Sequence, residues 1–313
     1  MIYVFTAVHD RYKITEKFVD QLLRQTYKDI KLVLVDDGCT DGTADMVRSK
    51  IPEAVIIQGD GNLWWGGALH EAYKWTVKNA DRSAFAMFAN DDSEFEDDYI
   101  EKAIKILDTR EHTLLAGYGV SRQTGKVFDG AVDYDFATTT VKRGGAGEGN
   151  CASTRSLFFR ISDFITIGGF HPLLLPHYGS DYEWTIRAWR KYGYTIYCDE
   201  SLRYLVDEET TGDNFYDKMT RKKLFSKRSM SNPFYKFSMI FLSTPAKIIP
   251  ITVANQIKFL NQLSKDKLLK GGTAHARNKC FCGSENNTHA YCAFILCIYQ
   301  LLSGRNLAAY SSS

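Results

Sequence analysis

Lys31-Leu32-Val33-Leu34-Val35, running on into Asp36-Asp37-Gly38 and then Asp41-Gly42-Thr43, is the stretch that decides the fold. The apolar run reads as a buried strand, and the glycines with Asp41 and Thr43 make a turn into a helix. The same pattern repeats outward from it. Upstream, Ile2-Tyr3-Val4-Phe5-Thr6-Ala7-Val8 reads as a second buried strand, followed by a helix whose apolar face carries Phe18, Leu22 and Leu23. Downstream come a strand at Ala54-Val55-Ile56-Ile57, a helix from Ala68 to Val77, a strand at Phe85-Ala86-Met87-Phe88 and a helix from Asp97 to Leu107. Short apolar runs separated by amphipathic helices are the signature of βαβ units, so an α/β fold with a mostly parallel central sheet flanked by helices is expected. Ligands of such sheets bind beyond the carboxyl ends of the strands.

Two of those ends are acidic: Asp36-Asp37 and Asn90-Asp91-Asp92. Asp91-Asp92 can hold a hard divalent cation, the kind used against phosphate groups. Each cluster also has a plainer use. Asp36 and Asp37 suit a turn and helix cap, and Asp91-Asp92 could be a solvated loop, because Glu94, Glu96, Asp97 and Asp98 follow. A third acidic group, Gly179-Ser180-Asp181-Tyr182-Glu183, opens a helix that ends at Gly193, where a first-turn acid can simply cap. Between the first two lies Gly59-Asp60-Gly61-Asn62-Leu63-Trp64-Trp65-Gly66-Gly67, whose pliable backbone can come close to a diphosphate.

In this order, on α/β spacing, the motifs resemble those of the family 2 glycosyltransferases with the GT-A fold, over roughly residues 1–205. The resemblance implies an inverting transfer of a sugar from a nucleotide-diphosphate donor, UDP- or dTDP-linked, to a hydroxyl of a glycan or polyprenol-linked acceptor. It implies Asp181 as the base that takes the acceptor's proton, with Ser180 where the family usually has a second acid. It implies Asp92 as the ligand of Mg²⁺ or Mn²⁺, Asp91 near the ribose or the metal, and Asn90 at the first place of the family's Asp-x-Asp motif. Asp36 and Asp37 would lie in the nucleoside pocket, bordered by Thr6, with Cys39 where the family usually has Ser. Asn62, Gly67 and one of the two tryptophans, for which Trp65 stands as candidate, would face the donor. The double Trp resembles the rhamnosyltransferase-like branch. Glu183 is the alternative base if the helix is rotated.

From residue 113 short strands and loops are expected, with Gly144 to Asn150 as a mobile loop beside the site or a plain connector. Ser156 to Gly169 suggests a strand and a short helix. His171 and His177 flank a Pro-Leu-Leu-Leu-Pro run on the acceptor side, and Arg187 is placed to pair with Glu183 at i,i+4. Residues 206–270 read as a helical extension: Lys218, Arg221, Lys222, Lys223, Lys227 and Arg228 precede an apolar run, Phe234 to Leu263, interrupted by Pro245 and Pro250. That pattern suits a segment lying on an anionic membrane surface, a lid on the catalytic domain, or a dimer contact. Residues 271–313 form a tail with Cys280, Cys282, Cys292, Cys297, His275 and His289, whose spacing does not match a zinc knuckle.

The balance of 39 basic and 37 acidic residues gives a net charge of +2, which offers no global attraction to nucleic acid. With no leader and no apolar run of membrane-spanning length, a cytoplasmic enzyme is expected, peripheral on the inner membrane face if the extension binds lipid. A sugar-1-phosphate nucleotidyltransferase would carry a Gly-rich basic loop after the first strand, where this chain has His9-Asp10-Arg11-Tyr12-Lys13. A degenerate domain that binds nucleotide sugar without turnover is the non-enzymatic reading, kept open by Asn90 and Ser180.

Overall fold

A computed structural model describes residues 1–208, 225–227, 229 and 232–265. The first strand, β1 (Ile2–Val8), explains the architecture. Its side chains alternate between two apolar layers: Tyr3 and Phe5 enter one cluster, Ile2, Val4 and Val8 the other. A strand covered on both faces has no polar side, which is why its sequence is a continuous apolar run.

Parallel pairing joins β1 to β2 (Ile30–Asp36) and β4 (Phe85–Ala89), and β2 to β3 (Val55–Gln58). One layer of helices holds α1 (Tyr12–Arg24), α2 (Thr43–Lys50) and α4 (Tyr99–Asp108); the other holds α3 (Trp64–Asn79), α5 (Ile161–Ile167) and α6 (Ser180–Tyr192). Among the described residues, ten strands form this sheet. Beyond β4 it becomes mixed, because β12 (Ser156–Arg160) runs antiparallel between β4 and β6 (Thr113–Ser121), while the long β13 (Thr195–Val206) is parallel to β6. Short strands β5 (Ser93–Phe95) and β7 (Val127–Asp129) pair with β13 and β6.

The structure corrects several sequence expectations. Gly144 to Asn150 is not a loop. Gly144 and Gly145 end β9 (Thr140–Gly145), which pairs with β8 (Ala131–Asp135), and Gly147 to Gly149 form β10 on the edge of β13. The glycines permit close backbone approach: a Cβ on Gly149 would lie 2.6 Å from the Val132 backbone, and one on Gly130 2.7 Å from the Gly145 carbonyl oxygen. Leu23 is 49% exposed, and α1 instead buries Thr15, Phe18, Val19, Gln21 and Leu22. Helix α3 starts at Trp64 rather than Ala68, so the double Trp belongs to its first turn.

In the C-terminal region Pro245 does separate two helices, α7 (Pro233–Ser243) and α8 (Ile249–Lys265), but Pro250 sits in the first turn of α8, where a missing N–H costs nothing. Met239 of α7 is buried against Leu175 and Ile186, and Thr252 and Asn255 of α8 donate to the carbonyls of Phe136 and Ala137. These helices pack on the α/β part of the chain, while Ile251, Ile257 and Phe259 of α8 stay exposed. Among the described residues no helix is long and apolar enough to cross a membrane. Of the basic cluster only Lys227 falls within the described residues; the cysteine-rich tail lies outside them.

Candidate active site

The parallel strands end together, and that edge gathers the acidic residues. Asp36 and Asp37 close β2, and Asn90 to Asp92 follow β4. Asp36 is buried; its carboxylate accepts from the Cys39 N–H at 2.7 Å and from Gln58 Nε2 at 3.2 Å. Asp37 is also buried and organises the next turn: its carboxylate accepts the N–H groups of Gly61, Leu63 and Trp64 at 2.9 to 3.2 Å. Those of Leu63 and Trp64 are donors left over at the start of α3, so Asp37 acts as a cap supplied from the end of β2. The two turns touch through backbone, since a Cβ on Gly38 would lie 2.9 Å from Gly61 Cα. Thr6 is fully buried on β1, and its hydroxyl has no hydrogen-bond partner among the described residues.

The start of α3 is pressed against the start of α6. Gly66 N–H donates to the Pro176 carbonyl at 2.8 Å, and a Cβ on Gly66 would fall 2.4 Å from the Leu175 carbonyl oxygen. Gly67, the candidate from sequence, is buried with a roomier setting, 3.3 Å from the Leu63 side chain. Gly66→Ala is therefore expected to destabilise by ~1–3 kcal/mol through forced backbone displacement. Gly67→Ala should be near neutral, its small contact offset by better helix propensity. Thermal unfolding of both variants checks this; equal melting temperatures would sink the packing account.

The tryptophans divide. Trp65 is partly buried against the core, and its indole donates to Thr154 at 2.7 Å. Trp64 adopts φ +59, strained for an aromatic residue, and its ring lies 5.5 Å from that of His177. Its indole N–H donates to Asn62, whose amide oxygen also receives Lys227.

Asp91 is buried, accepting from Thr15 at 2.9 Å with Arg11 Nη2 at 3.3 Å. Burial raises its pKa to about 6, with the neighbouring Asp92 also pushing upward and Arg11 and Thr15 pulling down. Asp92 faces the same Arg11 atom at 3.2 Å and Arg155 at 3.7 Å. Arg155 was not singled out from sequence, yet it is the hub of the site. Its Nε is 3.8 Å from Asp129, which also accepts from the hydroxyls of Ser153 and Tyr204. Burial works against the Arg155 charge, but Tyr204, Asp129, Asp92 and Asp181 outweigh it and raise its pKa.

Asp181 is half-buried at the first turn of α6 and accepts the N–H of Tyr182. Burial raises its pKa to about 6; Asp129 adds to the rise, while the Tyr182 N–H and Arg155 oppose it. Arg155 thus pairs with Asp92 and Asp129, and its charge also acts on Asp181. Glu183, by contrast, is 2% exposed and held by Arg187 at 2.9 Å with His171 at 3.8 Å, so it is tied into the core. Ser180 hydrogen-bonds the His177 carbonyl at 2.6 Å, closing the turn into α6.

Sequence reasoning missed Arg11, Asp129, Arg155 and Tyr204. Arg155 arrives through the β4–β12 register, where its carbonyl accepts the Asn90 N–H at 2.8 Å. Gly117 and Gly119 on β6 were the available signal for Tyr204: a Cβ at either would fall within 3.0 Å of its ring.

Asp91 and Asp92 offer adjacent carboxylate oxygens of the kind a hard cation takes, and both face Arg11. Asp10, Cys39 and Asp41 also come within ligating distance of one another. That cluster fits poorly: burial, with Asp36 adding to it, pushes the Cys39 thiol to about 12, and Asp10 and Asp41 already accept from Thr40, Thr43 and Tyr12.

The family model described as Glycosyl transferase family 2 matches residues 3–164. No curated protein matches the chain. Among solved structures, that of S. aureus TarS is similar at 12% identity and TM-score 0.55, covering 89% of this chain; this chain spans only 57% of that one. The mannosyltransferase PcManGT from Pyrobaculum calidifontis, in complex with GDP-Man and Mn²⁺, is similar at 13% identity and TM-score 0.52, covering 97% of this chain and 88% of that one. TarS 1-349 in complex with UDP-GlcNAc gives 12% identity, TM-score 0.52, and coverage of 86% and 83%. At such identities the likeness shows the fold, which is GT-A.

Proposed function

We propose, from the premise that this chain belongs to glycosyl transferase family 2, that it moves a sugar from a nucleotide-diphosphate donor to an acceptor hydroxyl with inversion. The observation that supports this reading is the pairing of Arg155 with Asp92 at 3.7 Å and Asp129 at 3.8 Å at the carboxyl edge of the parallel strands, with Asp181 near enough to feel both Arg155 and Asp129. A single displacement needs one carboxylate on the phosphate side and one to take the acceptor's proton, the roles proposed for Asp92 and Asp181.

In that reaction the acceptor O–H gives its proton to Asp181 as its oxygen bonds to the anomeric carbon. The bond from that carbon to the donor diphosphate breaks at the same time. Asp181 suits the base role because its raised pKa brings proton affinity nearer to neutral pH while the group remains ionised there. Asp92, with Asp91, would hold Mg²⁺ or Mn²⁺, which neutralises charge on the diphosphate when bound. Asp37 holds the Gly61–Trp64 backbone, Asp36 the turn after β2, and both border the nucleoside with Thr6, Asn62 and Trp65. Gly67 supports that turn from within α3. Glu183, sequestered with Arg187, is set aside as base.

UDP- or dTDP-sugars are the candidate donors, with rhamnose suggested by the double Trp. The acceptor is a glycan or polyprenol-linked glycan, for which the exposed apolar residues of α8 offer a lipid-facing surface. A panel of UDP-, dTDP- and GDP-sugars with and without Mn²⁺, read by thermal stabilisation, tests the reading. Ligand at about 100 times its dissociation constant adds ~2.7 kcal/mol. A flat response across the panel, with no donor hydrolysis, would overturn it.

A further inference from the structure

Arg11 occupies a telling position. Its Nη2 lies 3.3 Å from Asp91 Oδ1 and 3.2 Å from Asp92 Oδ2, so one positive group bridges the two carboxylates. A second guanidinium, that of Arg155, approaches the other Asp92 oxygen at 3.7 Å. The carboxylate assigned to the cation is therefore already neutralised by the protein's own charges. The side chain of Arg11 is one-third exposed and sits at the residue capping α1, so it can swing outward without disturbing the core.

We infer that Arg11 is a stand-in for the metal: it holds Asp91 and Asp92 in the empty enzyme, and releases them to the cation when a diphosphate arrives to receive the guanidinium. This deepens the proposed function and rests on its reading of Asp92. The electrostatic reasoning is direct. A divalent cation arriving alone meets two guanidinium groups at close range, and a diphosphate arriving alone meets Asp91, Asp92, Asp129 and Asp181. Arriving together, they exchange partners: carboxylates to metal, arginine to phosphate, a planar fork matched to that anion. Metal affinity should then be weak without nucleotide, and the two ligands should strengthen each other reciprocally. Thr15, which donates to the other Asp91 oxygen, keeps that carboxylate fixed through the exchange.

The test is binding of Mn²⁺ alone, followed by loss of the free-ion electron paramagnetic resonance signal, to the full chain and its variants. Arg11→Gln should bind Mn²⁺ about tenfold more tightly than wild type, because a competing charge is gone. Arg11→Lys should bind as weakly as wild type. Adding Asp92→Asn to Arg11→Gln should abolish the gain, which locates the ion at this carboxylate and not at Asp10, Cys39 and Asp41. Far-ultraviolet circular dichroism checks that each variant is folded. If Arg11→Gln binds Mn²⁺ no more tightly than wild type, or if the gain survives Asp92→Asn, the stand-in role is wrong. Failure of the transferase reading is separable: Mn²⁺ affinity would still rise in Arg11→Gln while no nucleotide sugar bound any variant.

Discussion

Asp181→Asn is expected to lower the rate of sugar transfer by ~10²–10⁴-fold while leaving donor binding close to wild type. Asn keeps the size of the side chain and can still accept the Tyr182 N–H, so the helix start is preserved. What it lacks is an oxygen able to take the acceptor's proton. The pH dependence follows from the same residue. With a pKa raised to about 6 by burial and by Asp129, the wild-type rate should climb as pH rises through about 6 and level off above it, and that limb should vanish in the variant.

Stability gives an independent reading. The folded-state pKa of Asp181 lies above the ordinary value of 3.8, so the native state binds this proton more tightly than the unfolded chain does. Stability from this group is therefore lost as pH rises from about 4 to about 6, and the ionised form is a burden at pH 7. Asp181→Asn should melt higher than wild type at pH 7, by the equivalent of about 1–3 kcal/mol, and the difference should close near pH 4. A variant that transfers sugar at the wild-type rate would remove Asp181 from the mechanism, whatever its melting temperature.

The second large effect is expected at Asp92. Asp92→Asn removes a charged oxygen from the group proposed to face the donor diphosphate, and transfer should fall by about 10²–10³-fold. Donor-induced thermal stabilisation in Mn²⁺ should shrink with it. The fold should survive, because Arg155 retains Asp129 and Arg11 retains Asp91. Partial recovery at high Mn²⁺ would mark weakened metal binding, since a folding defect does not respond in that way. If the variant keeps both the rate and the Mn²⁺ dependence of wild type, the cation is held elsewhere.

Both residues were visible in the sequence because each follows a strong local signal. Asp92 closes the Asn90-Asp91-Asp92 run that follows the strand Phe85–Ala89, and Asp181 opens a helix closed at Gly193 in the left-handed region. Arg187 paired with Glu183 as its i,i+4 spacing implied. The edge strands were less legible. β9 and β10 look like loop because their glycines serve neighbours that a linear reading does not contain, namely Val132 and the opposing Gly130. Gly66 and Gly67 are indistinguishable as letters, and only the Leu175 carbonyl separates them. The same holds for Trp64 and Trp65, one turned to His177 and the other tied to Thr154.

The chain by itself determined the layered α/β architecture and the acidic residues at its strand ends. Periodicity and turn chemistry act over a few residues, and those are written consecutively. Tertiary structure alone decided which charges meet. Arg155 reaches Asp92 through the pairing of β12 with β4, Asp129 reaches Arg155 across β6, and Arg11 spans two carboxylates eighty residues away. Electrostatic partners are chosen by distance in space, which strand register and helix packing set and sequence spacing does not.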